Sequence, residues 1–252
     1  MPFRRHAQRV ARRALGPAHP AVLRRWRRLQ AAKRARRLTA ITRVFVAWHG
    51  LRVSGGPFAG LVYPDATATS LIPKLLGAYE RELHAVIEQA IGAEPELIVN
   101  VGAADGYYAV GLARRCPAAT VHAFEADPRA RALLERVAAA NDVRLEIRGA
   151  AEVEHLRALP AGGRTLVVID CEGCEAALLD PERVPLLRSA AIVAELHDFA
   201  VPGDPVVARF ASTHDVTLIP TGAQPPERSS PLALALSEYR PGPMRWAVMI
   251  PR

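Results

Sequence analysis

The chain has 252 residues, half of them hydrophobic, and a formal net charge of +8. That length carries one α/β domain with a sizeable core plus an appendage, and no apolar run reaches the ~18 residues that a membrane span needs. Of the 33 Lys and Arg, fourteen fall in residues 1–43, which hold no Asp or Glu; this leaves 19 basic against 25 acidic residues in the remainder. The basicity belongs to the N-terminus, and the rest of the chain is mildly acidic.

Residues 1–49 read as a basic arm. No apolar segment follows the arginines, as a secretory signal requires, and no Ser precedes Ser54, which argues against a transit peptide. Val22, Leu23, Trp26 and Leu29, then Leu38, Ile41, Val44 and Phe45, recur at helical spacing. One or two basic amphipathic helices are predicted. Such an arm suits an anionic surface, membrane or nucleic acid, met through residues 1–43; the plainer reading is a solvated extension docked on the core. The three cysteines, Cys116, Cys171 and Cys174, are too few and too odd in number for a disulfide framework, and they fit a reducing, cytoplasmic setting in which the arm makes the protein membrane-peripheral.

Residues 50–252 read as the globular domain, with a core over 73–222 and a C-terminal excursion and last strand over 223–252. Residues 50–72 are turn-rich, with strand-like pieces at 51–53 and 60–63 that suggest a small β element over the site. Residues 73–91 predict one amphipathic helix, with Leu75, Leu76, Tyr79, Leu83, Val86, Ile87 and Ile91 on a shared face. Its first half lies near the site, so Tyr79 and Glu80 are candidate pocket residues.

Residues 97–125, LIVNVGAADGYYAVGLARRCPAATVHAFE, organise the chain. An apolar run, a small-residue turn, a helix beginning near Tyr107, and a second apolar run ending on Glu125 make the unit that binds nucleotide-like cofactors. Gly102 and Gly106 let backbone approach a ligand closely, and the helix start offers amide donors. Glu125, at a strand's carboxyl end, is placed to hold two ribose hydroxyls. Ala103 stands where a dinucleotide fingerprint wants glycine, and Asp105 repels pyrophosphate while suiting an ammonium. Both details favour S-adenosylmethionine over a dinucleotide. Asn100, Gly102, Ala103, Asp105, Gly106, Tyr107, Glu125 and Ala126 are the candidate cofactor residues, with Gly149 and Ala150 leaving room for the adenine and Asp170 closing the set.

After Asp127-Pro128, a good helix start, a helix runs to about residue 140 and a strand covers 143–147. Residues 165–169 are a continuous apolar run, as in a central parallel strand. It ends on Asp170, followed by Cys171, Glu172, Gly173, Cys174 and Glu175. Three carboxylates at one strand end mark the crevice where α/β sheets bind ligands. Cys171 and Cys174 read as small residues of the turn rather than a redox pair, and Glu175 as a helix cap. Residues 191–199 form the next strand, ending in Glu195, His197 and Asp198. Asp170, Glu172, Glu195 and His197 are the candidate catalytic set: they orient an acceptor hydroxyl and take its proton, and they can also ligate a hard divalent cation. The sheet is closed by a helix at 206–213, a strand at 216–219, a Pro/Ser-rich excursion over 224–231 and a last strand at 246–250.

The runs VNVGAADGYYAVGLA, HAFEADP, VVIDCEGCEAALL and IVAELHD, in that order, resemble the FkbM-like branch of class I S-adenosylmethionine-dependent methyltransferases. The resemblance spans about residues 75–220. It implies a Rossmann-like α/β fold, a seven-stranded sheet parallel except for one strand with helices on both faces, and O-methylation of a sugar or natural product, so a small-molecule or glycan acceptor. Gly102, Ala103, Asp105, Gly106 and Glu125 match its cofactor positions and Asp170 its fourth-strand acid. Asn100 departs from it, because such enzymes often carry an acid there. Two other readings stand beside this one. The first is an RNA or ribosome methyltransferase that uses the basic arm, although aromatic residues for stacking are few there. The second is a non-catalytic binding module on the same fold.

Overall fold

The structure is a computed structural model and describes residues 19–221, 230, 233, 235–238 and 244–252; within 19–34 only the side chains of residues 25, 32 and 33 are described. The start of the basic arm and most of the 224–231 excursion lie outside these residues.

Among the described residues the basic arm is one helix, α1 (His19–His49). Its end docks on the domain: Thr42 is buried, and Phe45 and Val46 pack against the core. Residues 51–63 then fold back on themselves, with one β-bridge between Arg52 and Val62 in place of a β element. The single helix predicted over 73–91 is two: α2 (Leu71–Leu75) and α3 (His84–Gly92), with a short 3₁₀ turn (Arg81–Leu83) before α3. The break comes from long-range partners. Ser54 donates to the Leu75 carbonyl from both its backbone N–H and its hydroxyl at 2.8 and 2.9 Å. Glu80 sits in the left-handed region at φ 46°, with its N–H on Glu238 Oε1 at 2.9 Å and its carboxylate accepting from the Tyr108 hydroxyl. The apolar pattern survives the break because both pieces face the same core.

The sheet strands are β1 (Leu97–Val101), β2 (Thr120–Phe124), β3 (Glu146–Arg148), β4 (Thr165–Ile169), β5 (Ala191–Leu196), β6 (His214–Pro220) and β7 (Arg245–Pro251). They lie in the order β3-β2-β1-β4-β5-β7-β6. β7 runs antiparallel to both β5 and β6, and the other pairs are parallel. This is the mixed seven-stranded arrangement that the resemblance implied. β1 and β4 are buried along their whole length, as mainly apolar central strands of a parallel sheet are, with Asn100 and Thr165 the buried polar residues within them. Alternation along β1 divides the core. Ile98 joins the cluster built with Ile87, Leu112 and Leu134, on the side of α3, α4 (Tyr107–Arg115) and α5 (Pro128–Ala140). Val99 and Val101 join Leu156, Leu178 and Val206, on the side of α6 (Val153–Arg157), α7 (Glu175–Leu178) and α8 (Gly203–Ala208).

Local chemistry fixes the helix starts. Asp127 caps α5, its carboxylate accepting from the Arg129 N–H at 2.9 Å, with Pro128 at the first helical position. Two elements shift from their predicted places. β3 is Glu146–Arg148 rather than 143–147, and α8 starts at Gly203 because Asp198 takes the Gly203 N–H at 2.9 Å.

Candidate active site

The carboxyl ends of β3, β2, β1, β4 and β5 form one rim, and the sequence-named residues divide along it. At the β2 end, Glu125 is fixed by two backbone donors at 2.7 Å each: Ala104 N–H on Oε2 and Asp127 N–H on Oε1. Ala104, in the left-handed region at φ 46°, is exposed beside it. Ala126, Gly149 and Ala150 are also exposed, and a Cβ placed on Gly149 would meet open space. Ala104, Ala126, Gly149 and Ala150 form a shelf of small residues at the rim, with the fixed Glu125 carboxylate. Ala104 was not singled out in the sequence; its place in the turn between Ala103 and Asp105 was the available signal.

The two glycines of the turn have a reason other than ligand approach. Gly102 takes φ 76°, and a Cβ there would overlap the carbonyl oxygen of Asp170, across the β1–β4 junction. Gly106 takes φ 92° at the start of α4, and a Cβ would run into Leu134 of α5. Both are required by the protein's own packing. Ala103 is buried, its N–H on the Phe124 carbonyl at 3.0 Å.

Asp105 differs most from expectation. It is buried, and the ammonium it meets is that of Lys74, with Nζ 2.6 Å from Oδ2. Its Oδ1 accepts from the Tyr107 N–H at 3.3 Å and the Tyr63 hydroxyl at 3.5 Å. Lys74 also lies over the rings of Tyr79 and Tyr107, 4.9 and 5.7 Å from their centroids. Tyr107 is a core residue, edge-on to Phe58 and Tyr79. Burial first, then the Glu80 and Asp105 charges, pushes its phenol well above the ordinary tyrosine range. The signal for Lys74 was a lone cation in the apolar stretch LIPKLL.

Asn100 is buried on β1, with Nδ2 donating to the Val168 carbonyl at 3.2 Å. Its Oδ1 finds no hydrogen-bond partner among the described residues. A buried acceptor in that state is costly unless a donor reaches it.

The second half of the rim is a crevice at the ends of β4 and β5 centred on His197, whose side chain is 1% exposed. Its Nδ1 lies 2.7 Å from Glu175 Oε1. Its Nε2 faces three further carboxylates: Asp170 Oδ1 at 3.5 Å, Glu195 Oε2 at 3.5 Å and Glu172 Oε2 at 3.7 Å. Glu175 Oε1 also accepts from the Cys171 and Gly173 N–H groups at 3.3 Å each. The residue read as a helix cap therefore ties the 170–174 loop to the imidazole, and the signal was present in its place as the last acid of D-x-E-G-x-E. Asp198, next to the set in sequence, turns outward to Arg245 at 2.9 Å.

The electrostatics follow. Burial pulls the His197 pKa down, but the Glu175 hydrogen bond and the charges of Glu175, Asp170 and Glu172 outweigh it, so the net shift is upward. Asp170 is raised, mainly by burial, with the Glu172 and Glu175 charges adding to it. Burial alone would raise Glu175, but its bonds to His197 and backbone N–H groups bring it below the ordinary value. Asp170 is thus the carboxylate of this group raised toward neutrality, while Glu175 is held in its charged form beside an imidazole whose protonated form is favoured, the kind of perturbation that suits proton transfer. Ligand atoms of Asp170, Glu195 and His197 all lie within 4.8 Å of one another. Glu172 is mostly exposed and stands at the mouth of this group.

Cys171 and Cys174, read from the sequence as unpaired turn residues, are joined by a disulfide. Their Cα atoms are 5.5 Å apart, a separation at which the bond forms without backbone movement. Glu172 and Gly173, at φ 56° and 114°, make the turn that brings them together. Cys116 is free and buried.

No protein-family model matches the chain, and no curated protein matches it in sequence. Among solved structures it is similar to the precorrin-6Y C5,15-methyltransferase of Geobacter metallireducens, at 14% identity over 67% of this chain and 89% of that one, with a TM-score of 0.49. It is also similar to an O-methyltransferase from Bacillus cereus in complex with SAH (14% identity, 64% and 77%, TM-score 0.45). A third is an rRNA methylase from Streptococcus thermophilus (12% identity, 69% and 99%, TM-score 0.47). At such identity and overlap the likeness identifies neither a reaction nor a substrate.

Proposed function

We propose that the protein is an S-adenosylmethionine-dependent O-methyltransferase of the FkbM-like branch, acting on a hydroxyl of a sugar or natural product in the cytoplasm. The observation that carries this reading is the adjacency, along one edge of a β3-β2-β1-β4-β5-β7-β6 sheet, of a small-residue shelf with a fixed carboxylate and a crevice with a buried, carboxylate-ringed histidine.

The residues present fit the cofactor. Glu125 retains acceptor capacity on both oxygens for ribose hydroxyls, Asn100 Oδ1 offers a buried acceptor to the ammonium of the methionine tail, and Gly149 opens onto space for a flat base. Gly102, Ala104, Ala126, Ala150 and Asp170 border the same shelf. Asp105 is left out of the set because Lys74 already neutralises it, and Tyr107 because its ring belongs to the core. When bound, the cofactor supplies an electrophilic methyl group on a sulfonium.

The chain's own work is to hold and deprotonate the acceptor. A hydroxyl seated between Asp170, Glu195 and His197 gives its proton to the cluster as its oxygen takes the methyl group. Glu175 keeps the imidazole aligned, and Glu172 guards the mouth. Alignment of donor and acceptor supplies much of the rate. Asp170, Glu195 and His197 also fit a hard divalent cation: two carboxylates, plus an imidazole whose far nitrogen is held by a carboxylate, is the arrangement in which a histidine ligand is oriented. The ion would hold the acceptor oxygen in the crevice.

Calorimetric titration of S-adenosylmethionine and S-adenosylhomocysteine tests the assignment, with Glu125→Ala as control. Binding at micromolar affinity or better, weakened at least tenfold in the variant, is expected. If the folded wild-type protein binds neither compound, with or without Mg²⁺, the assignment is wrong.

A further inference from the structure

The proposed reaction makes no use of α1, the most basic element of the chain. Among the described residues its docked side lies at its end: Thr42 is buried, Phe45 and Val46 pack on the core, and Leu38, Ile41 and His49 are half-buried. The opposite face is uncovered. Lys33, Arg36, Arg37, Ala40, Arg43, Val44 and Trp48 are all exposed. Lys33, Arg37, Ala40, Val44 and Trp48 follow one another by four, three, four and four positions, which places them in one stripe along the helix, with Arg36 and Arg43 flanking it. No carboxylate interrupts this face, since residues 1–43 contain none.

The stripe is not only basic. Trp48, at 83% exposure, and Val44, at 73%, are the two most exposed large hydrophobic side chains among the described residues. They lie one turn apart, directly beyond Lys33 and Arg37. Trp48 is braced from behind by Phe45, ring centroids 6.3 Å apart, and by His49, also at 6.3 Å. The indole is therefore presented outward from a packed base.

We propose that this face of α1 seats the protein on an anionic lipid surface, the helix lying in the plane of the headgroups with Trp48 and Val44 inserted and Lys33, Arg36, Arg37 and Arg43 on the phosphates. Charge complementarity makes the partner anionic, and the apolar pair decides between the anionic partners. A nucleic acid backbone offers nothing to an aliphatic Val44, and a single tryptophan is a thin stacking surface. A lipid interface takes up both, because tryptophan prefers the headgroup boundary and basic side chains reach the phosphates beside it. No helix of the described residues is long and apolar enough to cross a membrane, so the helix lies on the bilayer. The mildly acidic remainder of the chain is repelled by the same surface, which orients the molecule arm-first. This inference does not depend on the methyl-transfer reading.

The test is co-sedimentation of the full chain with vesicles of phosphatidylcholine alone and of phosphatidylcholine with one quarter phosphatidylglycerol, at low and high salt, beside a structureless RNA. Binding to the anionic vesicles only, weakening as salt rises, is expected. Each basic contact removed should weaken it about fivefold, so Lys33→Glu/Arg36→Glu/Arg37→Glu should abolish it. Trp48→Ala should weaken it several-fold with an unaltered salt dependence, which separates insertion from charge. All four residues are exposed, so thermal melting of the variants should match the wild type. Absence of vesicle binding, equal binding to neutral vesicles, unchanged binding by both variants, or retention by the RNA and not the vesicles would each overturn the proposal.

Discussion

Lys74 and Asp105 show how one buried pair shapes the neighbourhood of the site. Each is almost without solvent contact, and they hold each other at 2.6 Å under the rings of Tyr79 and Tyr107. Removing one member leaves a buried charge with no counter-charge, and the cost of that is far larger than the net worth of the pair. Lys74→Ala should therefore lower unfolding stability by roughly 3–5 kcal/mol, while Lys74→Met with Asp105→Leu should recover most of the loss. Denaturant midpoints of the two proteins check this. Glu175 illustrates the same logic in the proposed acceptor crevice. It fixes the His197 ring through Nδ1 and leaves Nε2 for chemistry. Glu175→Gln should weaken divalent-cation binding by about 10–100-fold, with little change in cofactor affinity, because the residue acts through the imidazole. Titrating Mn²⁺ and S-adenosylhomocysteine into the variant separates the two effects.

At the scale of elements, the 170–175 loop joins a covalent link to the crevice. Its two cysteines close a four-residue ring, which by loop-closure entropy alone amounts to about 2 kcal/mol. The ring holds the Cys171 and Gly173 N–H groups on Glu175, and Glu175 holds His197. In a reducing compartment such a bond is a cycling one. Cys171→Ser/Cys174→Ser should lower stability by no more than that ~2 kcal/mol and speed amide exchange of residues 171–174, leaving exchange in β4 unchanged. Exchange mass spectrometry of the variant, and of wild type after reduction by a dithiol, should give the same pattern. Legibility at this scale follows physical range. β1, β4 and β5 are built on the apolar runs 97–99, 166–169 and 191–194, and the acids and histidine that follow the β4 and β5 runs announce the crevice. These signals are local, and so they are readable. The break between α2 and α3, the Lys74–Asp105 pair and the Gly102–Asp170 contact each depend on residues brought together from distant segments. No local pattern carries them, and the 3.6-residue periodicity of 73–91 persists through the break.

For the whole molecule, charge is separated along the chain. Residues 44–252 are mildly acidic while residues 1–43 carry the uncompensated basic charge, and among the described residues the two meet where the end of α1 docks. The described contacts of the arm with the core come from its end, at Thr42, Phe45 and Val46. A chain lacking residues 1–31 keeps Thr42, Phe45 and Val46 in place, and it should melt at the temperature of the full chain. A chain lacking residues 1–49 uncovers the apolar surface beneath them. Two half-buried apolar side chains and their covering are worth roughly 2–3 kcal/mol, which for a domain of this size corresponds to a fall of about 5–10 °C in Tm. Calorimetric scans of the three proteins measure the step directly. A drop that already appeared with the shorter deletion would mean that the basic half of α1 is part of the stabilising core. A drop confined to the longer one would leave the exposed basic and tryptophan-bearing face free to serve a surface outside the molecule.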